Sequence, residues 1–400
     1  MATPPHTTKA SRLHPNIWIL SITSLLTDVS SEMLANVLPL FLYNVLGVQT
    51  TVIGLIDGVA ETTASLVKVY SGRLSDQLGK RKVLAVIGYG LSTIAKPFLF
   101  FASTWGWVLG VRFTDRVGKG IRTAPRDALL AGSAKPEQRG LAFGLHRAGD
   151  TAGAFLGLAI AALIIWLTQS ATSALTRHTF QLIVLASIIP AILAVLILAL
   201  GARDVETRSA KKADTPRLGW KTLDRRFRIF LLVVVLFTLG NSSDSFIILR
   251  GQERNLSVLQ IMGMLMTFNA VYSVLSGPAG SLSDRIGRRK LMLAGWLVYG
   301  LIYLGFALAR TGGQVWVLFG LYGIYYALTE GTAKALVADL VPQEQRGTAY
   351  GYFNAAIGLT ALPASLIAGA LWQWINPAAP FFFGAVMALI AGTLLSISIK

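Results

Sequence analysis

Gly72-Arg-Leu-Ser-Asp76-Gln-Leu-Gly79-Lys80-Arg81-Lys82 returns 208 residues later as Gly280-Ser-Leu-Ser-Asp284-Arg-Ile-Gly287-Arg288-Arg289-Lys290. In a chain of 400 residues that spacing describes one structural unit used twice. Each copy sets an acid, two glycines and a basic cluster between two long apolar segments, the pattern of a loop at a membrane surface.

Working outward, apolar stretches near the 20 or so residues a bilayer requires recur along the whole chain. Twelve are predicted, at about 17–43, 51–73, 83–103, 105–125, 139–167, 180–201, 229–250, 257–280, 290–309, 314–338, 347–372 and 378–399. They read as helices, because lipid tolerates only helices and closed barrels, and continuous apolar runs are not alternating strands. The expected fold class is therefore an all-α membrane protein with twelve transmembrane helices. Short loops leave no room for a soluble domain. The first segment is too long for a signal peptide and lacks a small-residue cleavage site, so an uncleaved first span is expected.

The composition is 54% hydrophobic and only 14% charged, yet the formal net charge is +17. With both termini placed in the cytoplasm, most of the 36 Lys and Arg fall in cytoplasmic segments, while Arg177, Arg250, Arg254 and Arg310 face the other side. That is the positive-inside distribution, and it accounts for the basicity without nucleic acid. The basic run Arg203 to Arg228 is the one long polar connection. It divides the chain into 1–202, a cytoplasmic linker 203–228, and 229–400. The linker and the loop cations suit contact with anionic membrane lipids. With no cysteine and four scattered histidines, no metal site or disulfide is expected.

The repeat extends beyond the opening stretch. Pro136-Glu137-Gln-Arg139-Gly answers Pro342-Gln-Glu344-Gln-Arg346-Gly, and Ser30-Ser31-Glu32 answers Ser242-Ser243-Asp244. On the doubled G-x-L-[SA]-D-x-x-G-[KR]-[KR] motif, placed after spans two and eight, the chain resembles the major facilitator superfamily of secondary transporters along essentially its whole length. The resemblance implies two pseudo-symmetric six-helix bundles around a central cavity that opens alternately to each side. It makes the motif loops a cytoplasmic gate: Gly72, Asp76, Gly79, Lys80 and Arg81 with Glu137 and Arg139, and Gly280, Asp284, Gly287, Arg288 and Arg289 with Glu344 and Arg346. The glycines would allow a tight turn and close approach, and the charges would latch facing groups or lipid phosphates.

Inside the spans, the first half carries Asp28, Glu32, Asp57, Glu61, Asp115 and Asp150 with Lys68, Lys96, Arg112, Arg116, Lys119, Arg122 and Arg147. At roughly 2.5–3.5 kcal/mol each, such groups cannot face lipid; they line a wet cavity or pair with one another. Asp28 with Glu32, and Asp57 with Glu61, are like-charge pairs one helical turn apart, which resist ionising together and so suit a proton carrier. A static salt-bridge network is the competing expectation. Arg112-Phe-Thr-Asp115-Arg116-Val-Gly118 resembles the R-x-x-Q-G-x-G motif of proton-coupled members, with Asp115 for Gln and Arg116 for the first Gly. Proton coupling is accordingly assigned to Asp28, Glu32, Asp57, Glu61, Arg112, Asp115 and Asp150. Gly149, Gly153 and Gly157 line one face of span five and predict close helix packing; the Pro usual in exporters is Ala154 here.

The second half replaces charges with amides and aromatics: 57 corresponds to Leu265, 61 to Asn269 and 68 to Ser276. The substrate cavity is expected to be lined by Lys96, Arg116, Arg147, Asn241, Asp244, Asn269, Tyr272, Tyr326, Glu330 and Asn354. These readings converge on a monomeric, cofactor-free, multi-pass transporter of the inner or plasma membrane, not an enzyme, that exchanges a small organic solute for protons. Export is favoured by resemblance to drug–proton antiporters. The alternatives are a proton symporter importing an anionic metabolite, and a lipid flippase.

Overall fold

The computed structural model describes residues 13–135, 138–169, 174–205, 223–342 and 346–398, and every regular element among them is helical. Twelve helical segments follow in order: α1 Pro15–Val45, α2 Thr50–Leu78, α3 Arg81–Phe101, α4 Trp105–Ser133, α5 Arg139–Gln169, α6 Arg177–Gly201, α7 Arg225–Glu253, α8 Val258–Ile286, α9 Arg288–Leu308, α10 Gly312–Asp339, α11 Arg346–Trp374 and α12 Ala379–Ser398. Among the described residues nine of these are long and apolar enough to cross a membrane. The other three are α2 and α4, which carry most of the first half's buried charge, and α10, whose apolar run is broken by Tyr322, Tyr325 and Tyr326.

The sequence ends span two at 73 and span four at 125, whereas α2 and α4 run on to Leu78 and Ser133. Polar residues beyond the apolar run keep the helical hydrogen-bond ladder going until a residue that cannot. For α2 that residue is Gly79, at φ +65°, whose N–H donates to Ser75 O at 3.0 Å. Gly287, at φ +93°, makes the corresponding turn between α8 and α9. Both positions need glycine, because a Cβ is strained at positive φ. The duplicated stretch is therefore mostly helix, with the loop reduced to its second glycine and neighbours. The start signals repeat as well: Thr104 Oγ1 accepts from Trp107 N to cap α4, and Thr311 with Gln314 forms a capping box on α10.

Two helices are interrupted. α1 turns at Asn36–Val37, just before Pro39, which has no N–H to continue the ladder. α7 is helical over Arg225–Gly240 and again over Ser245–Glu253. Asn241, Ser242, Ser243 and Asp244 lie between, four short polar side chains that compete for backbone groups. Arginines satisfy the carbonyls exposed at two helix ends. Arg177 donates to Ala102 O (2.7 Å) after α3, and fully buried Arg250 donates to the carbonyls of Phe306, Ala307 and Ala309 (3.0–3.3 Å) at the end of α9.

α1 packs on α5 and α6, and α4 on α2 and α3; α10 packs on α8 and α9, and α12 on α7 and α9. Glycines on α5 bring it against α1, so a Cβ at Gly149 would stand 2.8 Å from Ser21 O. Between the two halves of the chain, α2 packs antiparallel against α11 and α5 against α8. The α2–α11 contact is a seal: Thr50 Oγ1 donates to Gly369 O (3.2 Å) and Thr62 Oγ1 to Gly358 O (2.6 Å). A Cβ on Gly58 would lie 2.7 Å from Leu362 Cα. This seal lies at the end of α2 remote from the duplicated stretch.

Candidate functional site

Below the seal, the two halves enclose a cavity of about 760 Å³, walled by α1, α2, α3 and α4 on one side and by α7, α9, α10 and α11 on the other. Its size is that of a small-molecule site. The lining holds seven Asp and Glu and six Lys and Arg, a surplus of one acid in a chain whose net charge is +17.

Equal spacing on α2 and α4 builds a ladder of ion pairs across one wall. Arg112 Nη2 lies 3.7 Å from Asp57 Oδ1, and one turn further Arg116 Nη1 lies 3.5 Å from Glu61 Oε1. Arg116 Nε also faces Asp115 Oδ2 at 4.0 Å. The other oxygen of Asp57 accepts from Ser243 Oγ at 2.8 Å, so this carboxylate is held by α4 of its own half and by the break in α7 of the opposite half. Lys96 is buried, donating to Ser30 Oγ (2.6 Å) and Ser31 Oγ (3.2 Å). Asn36 Nδ2 donates to Glu32 Oε2 at 2.9 Å. Asp28 lines the cavity, with Arg122 and Lys119 as the attracting charges around it and no hydrogen bond or ion pair to it among the described residues. Arg122 covers the Tyr89 ring at 4.4 Å.

The facing wall is aromatic. Phe237, Trp296, Tyr325 and Tyr326 line the cavity beside Asp244, which accepts from Tyr322 (3.3 Å) and Tyr326 (3.4 Å) hydroxyls. Asn241 Nδ2 donates to Tyr325 at 3.2 Å. Asn354 and Glu330 complete the predicted residues on this side.

Of the residues singled out from sequence, Asp28, Glu32, Asp57, Glu61, Arg112 and Asp115 come together in the cavity, with Lys96, Arg116, Asn241, Asp244, Tyr326, Glu330 and Asn354. Four lie elsewhere. Asp150 sits between α1 and α5, accepting from Ser24 and facing His146 Nδ1 at 3.5 Å. Arg147 and Tyr272 meet Glu330 in an adjoining cavity of about 280 Å³ between α5, α8 and α10. There Arg147 lies 3.5 Å from Glu330 and Lys334 lies 3.6 Å from it. Asn269 spends its amide on Leu265 O, within its own helix. Among the described residues no three His, Cys, Asp or Glu side chains converge on a metal position.

At the duplicated stretch, Glu137 and Glu344 lie outside the described residues, as do the side chains of Asp76, Arg139, Asp284 and Arg346. Gly72 stands 3.4 Å from the Ala124 Cβ by its own would-be Cβ, while Gly280 faces open space. Arg81 donates to Ala128 O, Arg288 to Ala335 O and Asp339, and Arg289 to Ser396 O, bonds that each join neighbouring helices of one half. Lys80 is exposed.

Sequence reasoning missed Ser243, Ser30 and Ser31 as partners of charged groups, and the aromatic wall of Phe237 and Trp296. The doubled Ser-Ser-acid triplet was the available signal: its serines grip Lys96 in one copy and Asp57 in the other.

Comparison with known proteins agrees with this architecture. Residues 20–277 and 245–399 match the profile of the Major Facilitator Superfamily. An uncharacterised MFS-type transporter of Methanocaldococcus jannaschii is 39% identical over 389 residues, spanning 96% of this chain and 94% of its own. The multi-drug resistance efflux pump PmrA of Streptococcus pneumoniae is 24% identical over 344 residues, 82% of each chain. The crystal structure of the nucleoside transporter NupG shares the fold, with a TM-score of 0.80 at 13% identity over 96% of this chain and 100% of that one. A duplicated motif, an all-helical membrane fold and a charged cavity between the halves thus meet in one assignment: this chain belongs to the major facilitator superfamily of membrane transporters.

Proposed function

We propose that this chain is a proton-coupled exporter of a small organic solute, built as two six-helix bundles (1–202 and 229–400) with both termini in the cytoplasm. The observation that carries the coupling is the double grip on Asp57 by Arg112 and, across the interface, by Ser243. Rocking one bundle against the other separates Ser243 from Asp57. The hydrogen bonding of a cavity carboxylate then changes with shape, and its proton occupancy is linked to the direction the cavity faces. Asp28, unpartnered among the described residues and one turn from Glu32, supplies a second proton position in the same space. With the α2–α11 seal closed, the cavity faces the duplicated stretch, which in this topology is the cytoplasm. Asp76 and Asp284, beside their positive-φ glycines, then belong to the latch that closes the opposite face.

Export is supported by relatives described as multidrug resistance proteins. Among the cavity's cations Arg112 and Arg116 are held by Asp57, Glu61 and Asp115, while Lys96, Lys119 and Arg122 have no carboxylate within ion-pair distance among the described residues, so the flux direction decides between export and anion import. The test is proton flux in proteoliposomes with an imposed pH gradient and a panel of organic solutes. Export by antiport predicts that an added substrate drives protons against its own movement, and that Asp28→Asn, Glu32→Gln and Arg112→Ala abolish this flux. Normal proton-driven transport by all three variants would end the coupling proposal; proton movement in the same direction as the solute would replace antiport with symport.

A further inference from the structure

Asp244 begins the second segment of α7, where its carboxylate is not spent on capping the helix. On the same wall Glu330 has Lys334 and Arg147 as counter-ions, whereas among the described residues Asp244 has none. Its partners are the hydroxyls of Tyr322 and Tyr326, at 3.3 and 3.4 Å. Bonds of that length orient a carboxylate without neutralising it. Around it stands the ring wall: Tyr325 and Tyr326 meet edge to face with centroids 5.2 Å apart, and Phe237 stacks on Trp296 at 4.5 Å. All four rings reach the cavity surface.

We infer that Asp244 and the rings of Tyr325, Tyr326, Phe237 and Trp296 form a binding site for an organic ammonium ion carrying an apolar body. The inference rests on the transport reading only in making that ion the transported solute. A neutral solute would leave the Asp244 charge desolvated and uncompensated, and an anion would be repelled by it. A small metal cation would need a shell of oxygen ligands that ring carbons do not supply. An alkylated ammonium needs few hydrogen bonds. It is held by the carboxylate's charge and by the negative faces of aromatic rings, and its body gains from the apolar wall.

The experiment measures binding to the purified chain by calorimetry, using phenyltrimethylammonium, its neutral isostere tert-butylbenzene, and benzoate. The cation is expected to bind at least about tenfold more tightly than either comparator. Asp244→Asn should erase that preference, and Tyr326→Leu, which keeps the carboxylate, should weaken the cation several-fold while leaving tert-butylbenzene unchanged. Should Asp244→Asn fail to fold, the Tyr326→Leu comparison decides. Equal binding of the neutral isostere, preference for benzoate, or undiminished cation binding in the variants overturns the site. Because no proton gradient enters this assay, its failure leaves the coupling proposal to be judged on flux alone, and failure of coupling leaves the binding result intact.

Discussion

The Ser243–Asp57 hydrogen bond crosses between the halves, so it exists only while they are closed at the α2–α11 end, and its removal has a calculable consequence. Ser243→Ala deletes a 2.8 Å donor to a carboxylate that keeps its ion pair with Arg112 at 3.7 Å. Asp57 is therefore not orphaned, and the fold should survive. A hydrogen bond to a charged group contributes about 1.5–3 kcal/mol. Loss of that from the closed state alone shifts the closed-to-open ratio by about ten- to a hundredfold, at 1.4 kcal/mol per factor of ten. The chain contains no cysteine, so one introduced at Ile53, fully buried on α2 between the seal residues Thr50 and Gly58, is a unique reporter. Its rate of modification by an impermeant maleimide added from the sealed side tracks the open population. Ser243→Ala should raise that rate by the same factor. In an Asp57→Asn background the bond becomes neutral, worth about 0.5–1.5 kcal/mol, and the Ser243→Ala effect should shrink to about two- to tenfold. An unchanged rate, or the same factor in both backgrounds, would refute the cross-half grip.

Four further substitutions test the packing and the buried arginine. Gly58→Val places a branched side chain where even a Cβ lies 2.7 Å from the Leu362 backbone, so α2 and α11 must part and the same Ile53 reporter should become reactive. Gly90→Ala, at a helical glycine with open space beside it, should instead raise thermal stability by about 0.5–1 kcal/mol, read as the melting temperature in detergent. Arg250→Met removes a buried guanidinium that satisfies three carbonyls of α9 and Glu253 at 2.7 Å; a loss of about 3–5 kcal/mol is expected. Arg254→Met, at the partly exposed neighbour, should cost less than about 1 kcal/mol in the same melt.

The doubled stretch carried the fold into view because a membrane narrows the choices: an apolar run of bilayer length must be a helix, and two copies of one loop fix the repeat. The ionisable residues of α1, α2 and α4 were legible for the same reason, since lipid offers them nowhere else to go. Arg147, Tyr272 and Asn269 fell outside the main cavity because helical phase alone does not say which of two adjoining spaces a polar face will meet. The breaks in α1 and α7 were hidden too. A sliding window averages straight through Asn241 to Asp244, since their apolar neighbours outweigh them. Arg250 and Arg177 read as surface topology markers; that each would turn inward onto a helix end depends on where α3 and α9 stop, which is a tertiary fact.

The two Ser-Ser-acid triplets show how equal sequence in the halves yields unequal chemistry. In the first copy both serines accept from Lys96, Ser30 also donates to Ser187 O, and α1 stays helical through the triplet. At the repeat offset set by Thr104 and Thr311, the residue answering Lys96 is Tyr303, buried among Phe306, Phe381 and Tyr299. No ammonium is present there to hold the second pair of serines. Preceded by Asn241, they interrupt α7, and Ser243 is released to cross the interface to Asp57. A symmetric molecule would tie each triplet inside its own half, and no triplet would then register the separation of the halves. One replaced lysine frees one serine, and the bond that results joins the ion-pair ladder of one half to the broken helix of the other.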